Sequence, residues 1–240
     1  MWKDYQLEIL YQDKYLVAIN KPSGLLVHKS IIDRGEIYFA MKILRDQIER
    51  WVYPIHRLDK PTSGVLLFAL DSATAKIMSE QFKEHTIEKT YIAIVRGYIE
   101  ERGYIDYPLS VKLDKIADKD SKALKEPQDA QTAFKRLDTI EVDFAVGRYE
   151  KSRYSLVELK PKTGRKHQLR RHMKHLSHHI LGDTKYGRGE HNKMIRKEFD
   201  CHRLLLHATQ LKISHPYTDK KVVINSKCDE NFSRFFSILR

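Results

Sequence analysis

His56-Arg57-Leu58-Asp59-Lys60-Pro61-Thr62-Ser63-Gly64 places one carboxylate between cations, directly ahead of the apolar run Val65-Leu66-Leu67-Phe68-Ala69-Leu70. Pro61 fixes its own φ and Gly64 permits unusual backbone angles, so the segment reads as a shaped turn. A turn entering a buried strand is a rigid place to mount a reacting group. Asp59 is the residue that this arrangement singles out.

Before that turn, Glu8-Ile9-Leu10-Tyr11 and Tyr15-Leu16-Val17-Ala18-Ile19 read as two short strands around Gln12-Asp13-Lys14. Asn20-Lys21-Pro22-Ser23-Gly24 breaks the chain, and Leu25 to His28 resumes an extended segment. Residues 36 to 50 carry Ile37, Met41, Leu44 and Ile48 at helical spacing. Beyond the turn, Ser72 is the expected N-cap of a helix bearing Ile77, Met78 and Phe82. Lys89 to Val95 and Arg153 to Leu159 read as strands, ended by Gly97 and by Pro161 with Gly164. Residues 112–130 are dense in charge, contain Pro127 and read as a charged surface loop, with contact to RNA as the alternative. Strands and helices mix without regular βαβ alternation. The expected class is therefore α+β, around one mixed or antiparallel sheet flanked by helices and loops, in a single domain over 1–240.

Forty-four Lys and Arg against 32 Asp and Glu give a net charge of +12. Such an excess favours polyanionic partners, nucleic acid first and anionic membrane second. Cys201 and Cys228 show no metal-type pairing, which fits a reducing cytosol. No apolar run approaches the roughly 20 residues of a membrane span. Met1-Trp2-Lys3-Asp4-Tyr5 lacks the layout of a secretory signal, so a cytoplasmic location is expected.

The charge is concentrated. From Leu159 to Gly182 there is no acidic residue, and the basic residues include Arg165, Lys166, Arg170, Arg171 and Lys174. Leu169, Met173, Leu176 and Ile180 recur at helical spacing, giving this basic stretch one face for a core. An anchored helix so charged suits a phosphate backbone, whereas an ordinary solvated face mixes signs. His175 and His179 stand at i, i+4, and His172, His178, His202, His207 and His215 add ligand types. No HExxH or Cys/His finger spacing accompanies them, and the surrounding cations repel a metal, so none is expected.

Four ordered elements resemble the RluA-type pseudouridine synthases. They are the Asp59 stretch, Thr90-Tyr91-Ile92-Ala93-Ile94-Val95-Arg96-Gly97, Thr163-Gly164-Arg165-Lys166-His167-Gln168-Leu169-Arg170-Arg171-His172, and Leu206-His207-Ala208. Lys21 to His28 matches the family's N-terminal element as well. Lys115 to Lys119, Gly147-Arg148-Tyr149 with Arg153-Tyr154, and Ser177 to Asp183 are most similar to the branch modifying uridine 65 of certain tRNAs. Lys60 departs from the Arg expected in that branch and keeps the charge. The resemblance is to the members without an S4-like domain ahead of the catalytic part, so none is expected.

The resemblance implies the pseudouridine synthase catalytic fold and isomerisation of uridine to pseudouridine, without a cofactor. It implies a tRNA substrate, no membrane or obligate protein partner, and a monomer. Asp59 matches the family's nucleophile, Tyr91 its tyrosine, and Arg170 the arginine that pairs with the aspartate. Arg57 resembles the residue that fills the space left by the flipped base, and His56 positions the turn. Leu206 matches an apolar residue lining the base pocket, with plain core as the alternative. Arg165, Lys166, Arg171 and Lys174 are the expected backbone contacts. The rivals are a sister enzyme acting on ribosomal RNA or another tRNA position, an RNA-binding module without catalysis, and a metal-dependent nuclease.

Overall fold

The computed structural model describes residues 2–29, 35–110, 126–230, 232 and 235. Residues 112–125 of the expected charged loop lie outside them. The chain divides into two compact units. One comprises Met1–Glu88, Ser110–Gln128 and Gln210–Ser226; the other comprises Lys89–Leu109, Asp129–Thr209 and Lys227–Arg240.

The first unit opens with an antiparallel hairpin of β1 (Glu8–Gln12) and β2 (Leu16–Lys21). Asp13 closes its turn by accepting the N–H groups of Tyr15 and Leu16, both at 2.7 Å. Leu25–His28 forms no strand; its one ladder contact is a parallel bridge from Leu26 to Phe39. Helix α1 (Ala40–Ile48) is shorter than its apolar spacing predicts. Its buried face is Ala40, Ile43 and Leu44, while Ile37 lies before the helix and is exposed. After β3 (Tyr53–Pro54) comes β4 (Ser63–Ala69), antiparallel to both β2 and β3. All seven residues of β4 are buried, as its unbroken apolar run requires. Helix α2 (Ser72–Lys83) follows. Its cap is Asp71, not Ser72: the Asp71 carboxylate accepts from Thr74 N–H, and Ser72 is already helical. Met78 packs with Leu16, Ala18, Val65, Leu67 and Ala69, while Ile77 on the same helix is exposed.

The second unit is built on β5 (Glu88–Arg96), β6 (Arg102–Asp106), β7 (Gln131–Val142) and β8 (Ser152–Pro161), in the antiparallel order β5-β8-β7-β6. Alternation along β5 separates two cores. Ala93 and Val95 face a cluster with Leu169, Met173 and Ile180; Ile94 faces one with Tyr154, Met194 and Ile195. Helices α3 (Gln168–His175) and α4 (Gly189–Phe199) thus supply opposite faces. The basic helix is shorter than predicted: it caps at Leu176, Ser177 turns left-handed at φ 61°, and Ile180 reaches the same core through a bridge to Val95. Strand β9 (Leu206–Ser214) crosses the boundary between units, and its last five residues pair with β10 (Lys221–Asn225) in the first unit. The class is α+β as the element pattern predicts. Among the described residues no helix is long and apolar enough to cross a membrane.

Candidate active site

In the first unit, the Asp59 turn is held from three sides. Asp59 C=O accepts from Thr62 N–H at 3.0 Å, closing the turn over Lys60 and Pro61. The Lys21–Gly24 loop braces it: Gly24 N–H donates to Lys60 C=O at 2.8 Å and Ser23 Oγ to Pro61 C=O at 2.7 Å. Lys21 is fully buried and donates to the carbonyls of Pro22, Leu25 and Lys60 at 2.8, 2.8 and 3.2 Å. A buried ammonium is tolerated where its donors are satisfied, so Lys21 works here as a knot between two loops. Sequence reasoning did not single it out; its signal is a lysine closing a strand that opens on the apolar run Leu16-Val17-Ala18-Ile19.

His56 accepts from Leu67 N–H at 3.0 Å through Nε2 and stacks on Phe82 with ring centroids 4.7 Å apart. Those contacts fasten the turn to β4 and α2. Asp59 is half-buried and Arg57 exposed at the turn surface. Burial, then the Arg57 charge, holds the His28 imidazole below its usual range. Lys60 pairs with Glu36 at 3.0 Å.

In the second unit, Tyr91 lies half-buried on β5, paired with Leu159 of β8. Its ring packs against the cluster that contains Leu206, Leu169 and Met173. Tyr91, Leu206 and the start of α3 are therefore together on one face of this unit. Leu206 is 3% exposed within that cluster.

Helix α3 is anchored by Gln168, whose side chain is buried. Its Oε1 accepts from Thr163 Oγ at 2.7 Å and Arg165 N–H at 3.0 Å. Its Nε2 donates to Gln131 C=O and Thr132 Oγ, both at 3.0 Å. With four bonds made, the amide fixes the helix start. His167 precedes it in the left-handed region at φ 55°.

Arg170, on the first turn, is 5% exposed and grips Asp183 through Nε at 2.7 Å and Nη2 at 2.9 Å. Asp183 also accepts the N–H groups of Lys185 and Tyr186, both at 2.9 Å. Burial alone would raise the Asp183 carboxyl; the Arg170 bonds and charge, with those N–H donors, outweigh it and hold the group below the usual carboxylate range. Asp183 is the first acid after the acid-free stretch, and that is the signal that could have marked it.

The other basic residues differ in setting. Lys166 and Lys174 are exposed, and Arg171 is half-buried. Arg165 spends its Nε on Asp129 C=O at 3.0 Å. His172 is buried between Thr132 Oγ and Tyr107 C=O, and His175 stacks on Tyr107 at 3.7 Å, so these two histidines serve packing. Lys89, two residues before Tyr91 and on the same strand face, donates to Thr163 C=O at 3.3 Å. Burial brings its pKa down to about 8.

Residues 15–175 match the RNA pseudouridylate synthase family. A tRNA pseudouridine synthase C from Vibrio parahaemolyticus is 56% identical over 232 residues, covering 97% of this chain and 94% of that protein. One from Haemophilus influenzae is 52% identical over 231 residues, covering 96% and 97%. Among solved structures, Human RNA Pseudouridylate Synthase Domain Containing 4 superposes with a TM-score of 0.73 at 27% identity, covering 97% of this chain and 92% of that one. The chain belongs to the RNA pseudouridylate synthase family and is an isomerase that converts uridine to pseudouridine.

Proposed function

We propose that the substrate is tRNA, that the modified position is uridine 65, and that Asp59 is the nucleophile. The observation that carries the reading is near-full-length identity above half to proteins named tRNA pseudouridine synthase C. The Asp59 turn supports the role of the aspartate, because loops braced by a buried lysine hold its backbone fixed. The protein acts in the cytoplasm as a monomer, where tRNA is met.

The reaction breaks the bond from N1 to C1′, turns the uracil and joins C5 to C1′. C5 loses a proton and N1 gains one, so no electrons are exchanged and the balance calls for no cofactor. It needs a group that attaches and then leaves, which suits a carboxylate. Asp59 attaches to the nucleoside at C1′ or at the base. The target must leave its stack first, and Arg57, exposed on the same turn, fills the space it vacates. Tyr91 offers a ring face for the extruded uracil and a hydroxyl to assist removal of the C5 proton. Arg170 is the cation assigned to the nucleophile. Arginine suits that task because it stays charged and carries five donors, of which Asp183 takes two. Lys166, Arg171 and Lys174, with Arg165, contact the phosphate backbone.

Pseudouridine mapping of total tRNA from cells with and without the protein tests this. The expected result is loss of the modification at position 65 on deletion, restored by wild type and not by Asp59→Asn. A change confined to ribosomal RNA would overturn the tRNA assignment. Full restoration by Asp59→Asn would overturn the nucleophile.

A further inference from the structure

The end of β5 opposite Tyr91 carries a second cationic site. Arg96 closes that strand, five residues beyond Tyr91, which is about 17 Å along an extended chain. An odd separation also puts the two on opposite sheet faces, in agreement with the two clusters that flank β5. Arg96, Tyr98, Arg148, Tyr149, His178 and His191 line a cavity of about 690 Å³ there. That volume is within the roughly 300–1,000 Å³ typical of small-ligand sites.

Two features make this a built receptor for an anion rather than a solvated charge cluster. Arg96 donates from Nε to His191 Nε2 at 3.1 Å, and the other nitrogen of His191 meets Tyr154 Oη at 2.8 Å. Nε2 accepts, so the imidazole is neutral and its proton sits on Nδ1. A carboxylate in that place would orient the guanidinium and cancel its charge; a neutral ring orients it and leaves the charge whole. Burial, then the Arg96 charge itself, brings the His191 pKa down to about 4, so it stays neutral across the physiological range. His178 Nδ1 meets Arg96 C=O at 2.8 Å and fixes the strand end from the other side.

The second feature is the pairing of cations with aromatic rings. Arg148 lies over Tyr149 at 5.1 Å and Arg153 over Tyr98 at 5.5 Å. Arg153 and Lys151 are already matched by Glu141 and Asp143. Among the described residues Arg96 and Arg148 form no ion pair, and the one acid lining the cavity is Glu150. A ring beside an arginine without an acidic partner, as Tyr149 is beside Arg148, is the chemistry that grips a nucleotide, with the phosphate on the guanidinium and the base on the ring.

We infer that this cleft is a second RNA-binding site, holding a nucleotide of the substrate distant from the uridine being isomerised, with its phosphate on Arg96 and Arg148 and its base against Tyr149. The inference rests on tRNA as the substrate. It gives the enzyme a contact that reads the position of the target within a folded RNA, because the two sites are far apart on opposite faces of one strand.

The test uses the full chain and total tRNA prepared from cells that lack it. Arg96→Gln/Arg148→Gln is expected to weaken tRNA binding about tenfold near physiological salt and to lower the slope of log affinity against log salt by roughly 1–2. Turnover at saturating tRNA should remain that of wild type. Tyr149→Ala should weaken binding at least about fivefold and Tyr149→Phe much less, since the ring face is what is used and the hydroxyl only accepts a bond from Arg148 Nη2 at 3.0 Å. Arg148 and Tyr149 are exposed, so Arg148→Gln alone and the Tyr149 pair keep the test valid if the double variant unfolds. Unchanged affinity and salt slope in these folded variants, with pseudouridine still formed by wild type, would overturn the cleft alone. Absence of pseudouridine formation by wild type on this tRNA would instead overturn the substrate on which the inference rests.

Discussion

Arg170 and Asp183 form a buried bidentate ion pair, with N···O separations of 2.7 and 2.9 Å and side chains 5% and 1% exposed. The pair ties the first turn of α3 to the segment after Ile180, where Asn192 Nδ2 and Gly187 N–H also hold Asp183 C=O at 3.0 Å. Removing one partner of such a pair takes two charge-assisted hydrogen bonds from a buried guanidinium. Asp183→Ala is expected to cost roughly 3–5 kcal/mol in urea unfolding. Asp183→Asn should remain folded yet lose turnover more than tRNA affinity, because Arg170 then lacks its anchor. Equal unfolding curves for wild type and Asp183→Ala would show that the pair does not hold the helix.

The same pair sets an acid dependence. The Asp183 carboxyl lies below its usual range in the folded state, against about 3.9 when unfolded. A depressed acid contributes stability that is fully present above the unfolded value and is lost as pH falls through the folded one. The stability gap between wild type and Asp183→Asn should therefore be constant from neutral pH down to about 5 and shrink below about 4. Unfolding free energies at pH 7, 5 and 3 check this; a gap independent of pH would remove the charge from the explanation.

How much of this was legible in the sequence depends on the range of the interaction. The apolar run 65–70, short and entered from a turn, reads as a buried strand, and β4 covers 63–69. The face of the basic helix was also readable, since Leu169, Met173, Leu176 and Ile180 all reach one core. Its length was not: apolar spacing continues past Leu176, while Ser177 leaves the helical region. Asp71 and Ser72 are both good caps, and periodicity cannot choose between neighbours. Ile37 matched a helical stripe by chance and is 63% exposed. Long-range partners were the true blind spot. Nothing local says that Lys21 will meet Lys60 C=O, or that Arg170 will find Asp183 thirteen residues on.

Lys21 gives the sharpest test of how the Asp59 turn is held. Lys21→Met keeps the apolar stem and leaves three carbonyls without this donor. The expected loss is about 2–4 kcal/mol of stability, with turnover falling more than affinity for tRNA. Wild-type stability and turnover together would show that the loops hold without it.

Tyr91→Phe separates two uses of that ring. The substitution keeps the packing against Leu206 and Leu169 and the stacking face. If the hydroxyl assists proton removal, turnover should drop by roughly 10²–10⁴ while tRNA affinity holds. Full turnover in the variant would leave stacking as the whole contribution.

Lys89 gives a pH dependence of the same direction as Asp183, stability rising with pH, but in the alkaline range and through a cost relieved rather than a gain acquired. Burial lowers its pKa from 10.5 to about 8, so keeping it charged costs the folded state at neutral pH. A shift of that size corresponds to an upper bound of about 3 kcal/mol. The cost is complete below pH 8, where both states are protonated. It fades from 8 to 10.5 as the folded lysine alone gives up its proton, and it is gone above that range. Lys89→Met removes the charge but leaves Thr163 C=O without a donor bonded at 3.3 Å, which offsets about 1 kcal/mol. The variant is therefore expected to be more stable than wild type by roughly 1–2 kcal/mol at pH 7 and to lose that advantage by about pH 10. Other groups that titrate cancel in the difference between the two proteins. Guanidinium unfolding of both at pH 7, 8.5 and 10 makes the comparison. An advantage that grew with pH, or none at pH 7, would mean that Lys89 is not held as a strained cation beside the start of α3.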